Sequence, residues 1–186
     1  MTSIRFTAFL GVIAALLLSP SSRAQQPSTH EHGASPGAAQ QTQTDQHCEM
    51  TKRGDQAMGF SQQKATHHFY LAKDGGVIEV GTNDPKDAVS REQIRQHLTH
   101  IAHLFADGNF DAPMFIHATT PPGVPTMARL HDQIRYEFQE SEAGGRVRIT
   151  TTSTQALDAI HAFLLFQILN HQTGDSAVIS DGPTKN

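Results

Sequence analysis

From Thr66 to Val80 the chain alternates, THHFYLAKDGGVIEV, and places His67, Phe69, Leu71, Ile78 and Val80 on one face with His68 and Tyr70 on the other. This is the pattern of a half-buried β-hairpin, and Asp74-Gly75 predicts a type I′ turn at its tip. Asn83-Asp84-Pro85 breaks the second strand. Ser90 with Gln93 then forms a capping-box signature, so a helix is expected from about Arg91. Ile94, Leu98, Ile101 and Phe105 recur at helical spacing and form its buried stripe. At 100° per residue, His97 falls at the margin of that stripe, His100 further round and His103 opposite it. Asp107-Gly108 supplies the stop.

A looser copy follows. Ala112–His117 (APMFIH) reads as a short edge strand, Thr119–Pro125 as a stiff loop, and Pro125–Gln133 as a short helix. Ile134, Tyr136 and Phe138 then share a face, Gly144-Gly145 turns the chain, and Val147 and Ile149 return on the same face. Phe69 and Phe138, Ile78 and Val147, and the two glycine pairs are all 69 positions apart. Either a tandem duplication or two unrelated hairpins that both use Gly-Gly would give this spacing. A last helix is expected from a Thr152 cap to about Gln172, before Gly174. Leu157, Ile160, Leu164 and Ile168 line its core face, and Phe163, Leu165, Phe166 and Leu169 cover its other sides. A helix apolar all round is central or buried against a partner, which points to a homo-oligomer formed through this C-terminal helix. The fold expected is α+β: two ββα units forming an antiparallel sheet with helices packed on one face.

The ends of the chain differ in kind. Arg5, the apolar run Phe6–Leu18 and Ser22-Arg23-Ala24 make residues 1–24 a signal peptide, which implies a periplasmic or secreted protein with no membrane attachment after cleavage near Ala24. Residues 25–46 lack large apolar side chains and read as a disordered polar spacer. The domain is expected over 47–175, beginning with an irregular arm over 48–64, and residues 176–186 form a flexible tail. Without Arg5 and Arg23 the balance is 12 basic against 18 acidic residues. That charge, with no basic cluster, argues against nucleic acid and against an anionic membrane surface as partners. A single cysteine, Cys48, excludes an intramolecular disulfide.

Histidine is the only chemistry the sequence stresses. Nine of the twelve fall between the first hairpin and the last helix: His67, His68, His97, His100, His103, His117, His131, His161 and His171. Neutral imidazole binds copper, zinc and nickel, and residues at i, i+3 such as His97 and His100 can share one ion. With His67 on the neighbouring hairpin edge, His67, His97 and His100 make the candidate metal set. The competing reading is that these are hydrogen-bonded boundary residues, because no HExxH or Cys-x-x-Cys spacing is present. His47, Cys48 and Met50, with Met58 nearby, would suit Cu(I); the competing reading is a cysteine and methionines in a flexible arm with no common geometry. No nucleophile elbow, glycine-rich phosphate loop, CxxCH or defensible carboxylate pair occurs.

The combination HHF, DGGVIEV, HLTHIAHLF, APMFIH, TPPGVP, GGRVRIT and HQTGD resembles a group of short exported bacterial proteins without an assigned biochemistry. Such groups are sometimes labelled aspartate carbamoyltransferase. The residues here do not support that reaction: the Ser-Thr-Arg-Thr phosphate loop and the His-Pro-x-Gln segment of that family are absent from the sequence. The function expected is therefore an exported binding or accessory protein whose ligand site, if metallic (copper, zinc or nickel), uses imidazoles. A small metal-assisted hydrolase and a structural oligomeric module are the alternatives.

Overall fold

The computed structural model describes residues 36–180, so the expected signal peptide, residues 25–35 of the spacer and residues 181–186 lie outside the described residues. The elements are α1 (Pro36–Met58), β1 (Ala65–Ala72), β2 (Gly75–Thr82), α2 (Ala88–Ala106), α3 (Asp111–His117), α4 (Val124–Arg129), β3 (Ile134–Glu140), β4 (Gly144–Thr151) and α5 (Thr154–His171). The four strands form one antiparallel sheet in the order β1-β2-β4-β3. The fold is α+β, with α2 and α5 on the sheet face that carries Phe69, Leu71, Ile78, Val80, Val147 and Ile149.

The spacing of 69 reappears as register. Phe69 lies opposite Ile78 in the first hairpin, and Phe138 lies opposite Val147 in the second. At the centre of the sheet Ile78 pairs with Val147, its own counterpart, so a local two-fold axis passes between them. Phe69 is buried, Phe138 packs partly buried on the same core, and so the two phenylalanines face the same way. The helices repeat as well, at a spacing of 66, because the link from β4 to α5 is three residues shorter than that from β2 to α2. The caps Asp87 and Ser153 each accept from the amide three residues on. Ile94 and Leu98 correspond to Ile160 and Leu164, all buried, and Gly108 and Gly174 follow the two helices with the same φ of 75°.

Each helix serves the other unit's hairpin. α2 packs chiefly on β3 and β4, and α5 chiefly on β1 and β2. The crossing is pinned at equivalent places. Arg95 of α2 donates to Ser141 O (2.9 Å) and Gly144 O (3.1 Å) at the second hairpin tip. His161 of α5 does the same for Ala72 O (2.8 Å) and Gly75 O (3.1 Å) at the first. Gly76 lets α5 lie this close: a Cβ there would stand 2.1 Å from Leu164 Cδ1 and 2.6 Å from Tyr70 O.

Several expectations need correction. The first turn is not type I′: Ala72 pairs with Gly75, so Lys73 and Asp74 form the tip, and neither has positive φ. The helix caps are Asp87 and Ser153; Ser90 instead gives its amide and hydroxyl to Asp87 (2.9 and 2.8 Å). The arm is helical, and α1 reaches back through residues 36–46 of the expected spacer. Its buried side is Met50, Gly54 and Met58, and Arg53 Nε donates to Ile116 O at 2.8 Å. APMFIH is helix α3, not a strand: Pro113 sits in the first turn, where its missing N–H costs nothing, and Pro113 and Ile116 share the buried side. The tail is not free through its first residues. Asp175 accepts from Phe69 N (2.9 Å), and Ser180 bridges β1, its amide donating to Leu71 O (3.0 Å). The second face of α5 is largely covered: Phe163 is buried against Phe105 and Phe110, and Phe166 packs on His117. Leu165, Leu169 and, on α3, Phe115 stay exposed.

Candidate imidazole site

Strand alternation turns His67 inward at the start of β1, and the last turn of α5 brings His171 over it, with ring centroids 5.7 Å apart. The last residue of α3, His117, meets the other side of His171 edge-on at 5.1 Å. Phe60, in the link after α1, touches both His67 (6.5 Å) and His97 of α2 (5.8 Å). Four imidazoles thus form one packed group, flanked by Phe60, Phe69 and Phe166. A cleft of about 380 Å³ opens onto it, lined by His67, His171, Gln62, Gln172, Thr173 and, at its rim, the exposed His47 of α1.

Burial keeps these rings neutral. It pushes His67 and His97 down to about 4 and His171 down to about 3, and neighbouring imidazoles add to each shift. His117 is also lowered, first by burial, with Arg53 assisting and a hydrogen bond to Gln167 opposing. That bond joins His117 Nε2 to Gln167 Oε1 at 2.9 Å, so Nε2–H donates and Nδ1 keeps its lone pair. His117 Nδ1 and His67 Nε2 are both buried without a hydrogen-bond partner. Two backbone positions beside the group are unusual. Ala118 (φ 51°) and Gln172 (φ 53°) are the only non-glycine residues with positive φ among the described residues, and each directly follows one of these histidines. That conformation costs an ordinary side chain roughly 1–2 kcal/mol.

The internal two-fold supplies a comparison within the same chain. At the opposite end of the sheet, the place of His67 is taken by Tyr136, that of His171 by Phe105, and that of His97 by Phe163. Those aromatics pack together directly, with Phe105 to Tyr136 at 5.7 Å and Phe105 to Phe163 at 6.1 Å, whereas His97 joins its group through Phe60. Ile101 stands where α5 carries the buried Gln167. One end of the domain is closed by rings and an aliphatic side chain, where the other carries three imidazoles and an amide. The aromatic end has one orphan of its own, the Tyr136 hydroxyl.

The expected set divides. His67 and His97 come together around Phe60, but His100 is exposed and lines a separate groove with Glu92, Arg95, His103, Phe138 and Glu140. His117 and His171, absent from that set, belong to the group. In the present rotamers, no three His, Cys, Asp or Glu side chains among the described residues stand so as to hold one ion. The other histidines have local duties: His68 bonds Asp175 (2.9 Å), His131 bonds Ala106 O (2.9 Å), and His161 holds the first hairpin tip. Cys48 is exposed on α1 and Met50 is buried, so the two do not form a soft pair. No described helix is long and apolar enough to cross a membrane. No family model, curated protein or solved structure matches the chain.

Proposed function

We propose that this chain is an exported binding or accessory protein that takes a transition metal ion, copper, zinc or nickel, through neutral imidazoles. One observation carries the reading: three core positions filled by Tyr136, Phe163 and Phe105 at one end of the sheet are His67, His97 and His171 at the other. A ring nitrogen buried without a partner costs about 1–3 kcal/mol, so imidazoles are poor substitutes for phenylalanine as packing alone. Their chemistry at neutral pH is nitrogen donation, and burial has already removed the proton that would compete with a metal. The cleft beside His67 and His171 gives an ion a way in from solvent.

Calorimetric titration of the purified chain with Zn²⁺, Ni²⁺ and Cu²⁺ at pH 7.5 tests this reading. One saturable site is expected in the wild type and none in His171→Phe, which copies the opposite end of the sheet. Indistinguishable heats from the two proteins would leave the imidazoles as packing residues and end the proposal.

A further inference from the structure

Independently of the metal reading, we infer that the outer edge of β3 pairs antiparallel with the same edge of a second copy of this chain, with Tyr136 on the two-fold axis. The two edge strands of the sheet, β1 and β3, are finished differently. At β1 the chain's own tail covers the edge: Asp175 accepts from Phe69 N (2.9 Å), and Ser180 N donates to Leu71 O (3.0 Å). The counterparts of Phe69 and Leu71 on β3 are Phe138 and Glu140. After α2 the chain turns away from them. Asn109, the counterpart of Asp175, accepts from Asp111 N (2.9 Å), and Phe110 stacks on Phe105 in the core (4.3 Å). Ser141 and Gly144 exchange both backbone hydrogen bonds at the hairpin tip, so by alternation Gln139, Glu137 and Arg135 bond β4. The N–H and C=O groups of Tyr136 and Phe138 therefore point outward, and among the described residues no hydrogen bond reaches them. β3 pairs with β4 through all seven of its residues, with neither proline nor bulge to blunt the edge. Such an edge is a template for another strand.

Charge selects both the occupant and the register. Arg135 and Glu137 bond each other on the exposed face of β3 (3.0 Å), where β1 has Thr66 and His68. With Tyr136 on the axis, Arg135 lies opposite Glu137 of the second copy and Glu137 opposite Arg135 of the second copy. The four charges close into a ring of alternating sign, which stabilises cross-strand pairing. An axis at Arg135 or Glu137 would set like charges against each other, and one at Phe138 would face both with the uncharged Ser141 and Gln139. In the favoured register the N–H groups of Tyr136 and Phe138 meet Tyr136 O and Ile134 O of the second copy. The two sheets become one of eight strands. The cleft at His67 lies by the opposite edge strand, so both copies keep it open.

Analytical ultracentrifugation of the purified chain should show a monomer–dimer equilibrium. Arg135→Glu and Glu137→Arg should each weaken the dimer about tenfold or more, because both cross-strand pairs become like-charged. Both side chains are exposed, so the melting temperature should hold. Mixing the two variants should restore a dimer, since every carboxylate then faces a guanidinium. In ¹⁵N–¹H spectra of a dilution series, the amides of Tyr136 and Phe138 should move most. A wild type that stays monomeric at millimolar concentration, a dimer indifferent to both charge reversals, or one lost in Leu169→Glu instead would overturn the inference. So would a monomeric wild type whose β3 amides move only on addition of a peptide of residues 173–180, which would make the edge a seat for a tail strand and not for a second β3.

Discussion

Acidification should unfold this protein well before its carboxylates titrate. An unfolded histidine has a pKa of about 6.5. In the fold His67 and His97 are held near 4 and His171 near 3. Lowered folded values mean that the unfolded chain binds protons first. The stability is therefore complete above pH 6.5 and falls as pH drops from 6.5 toward 4. At pH 5 a group moved from 6.5 to 4 has lost about 2 kcal/mol, and a group moved to 3 about the same. Three such groups give roughly 6 kcal/mol, against a total stability of about 5–15 kcal/mol for a domain. The charges that act on them are those of His47, His67, His68, His100 and His117, all basic, so protonating one ring opposes protonating the next. A melting temperature followed by circular dichroism in metal-free buffer should fall on the order of 15 °C between pH 7 and pH 5. His171→Phe should flatten that slope by about a third. A wild-type value that moved less than about 3 °C would show that these rings charge freely, and the packed neutral cluster would be refuted.

Three other outcomes follow from local geometry. Ala118→Gly and Gln172→Gly relieve the positive φ after His117 and His171, so each should raise stability by about 1 kcal/mol in urea unfolding. A loss at either position would mean that the wild-type side chain is held in that conformation by contacts worth more than the strain. Gly76→Ala should cost about 1–3 kcal/mol, because the new methyl meets Leu164 Cδ1 and Tyr70 O, and Leu164→Ala should recover part of it in a double-mutant cycle. Leu169→Glu places charge on the exposed side of α5 and should leave the melting temperature unchanged. Under the expectation of a subunit contact there, it should convert a self-associated form to monomer in light scattering, and a wild type already monomeric would remove that contact.

The hairpins were legible because strand periodicity and glycine spacing are local: Phe69, Ile78, Phe138 and Val147 all landed on the face read from alternation. Helix α1 was hidden because its buried stripe runs Met50, Gly54, Met58, and the glycine, pressed against Gln62, leaves a gap in the apolar pattern. APMFIH misled because Phe and Ile suit a strand, whereas the segment is a helix packed on α1. The candidate site was half legible. Strand and helix phase place His67 and His97 at the margin of the core, but the i, i+3 spacing that groups His100 with His97 carries no information on exposure, and His100 faces solvent. His117 and His171 end two different helices, and nothing near them in sequence joins them. One signal was available: aligning the two helices at a spacing of 66, not 69, puts His171 on Phe105 and Gln167 on Ile101.

The exchange of helices between the two hairpins has a consequence for specialisation. Two separate ββα chains in this arrangement would form an isologous dimer, and every residue would appear at both ends of the sheet. Any imidazole introduced for chemistry would be introduced twice, and its cost in stability paid twice. With both units on one chain the ends are free to diverge. One keeps Phe105, Tyr136 and Phe163 and anchors the domain, which lets the other carry His171, His67 and His97.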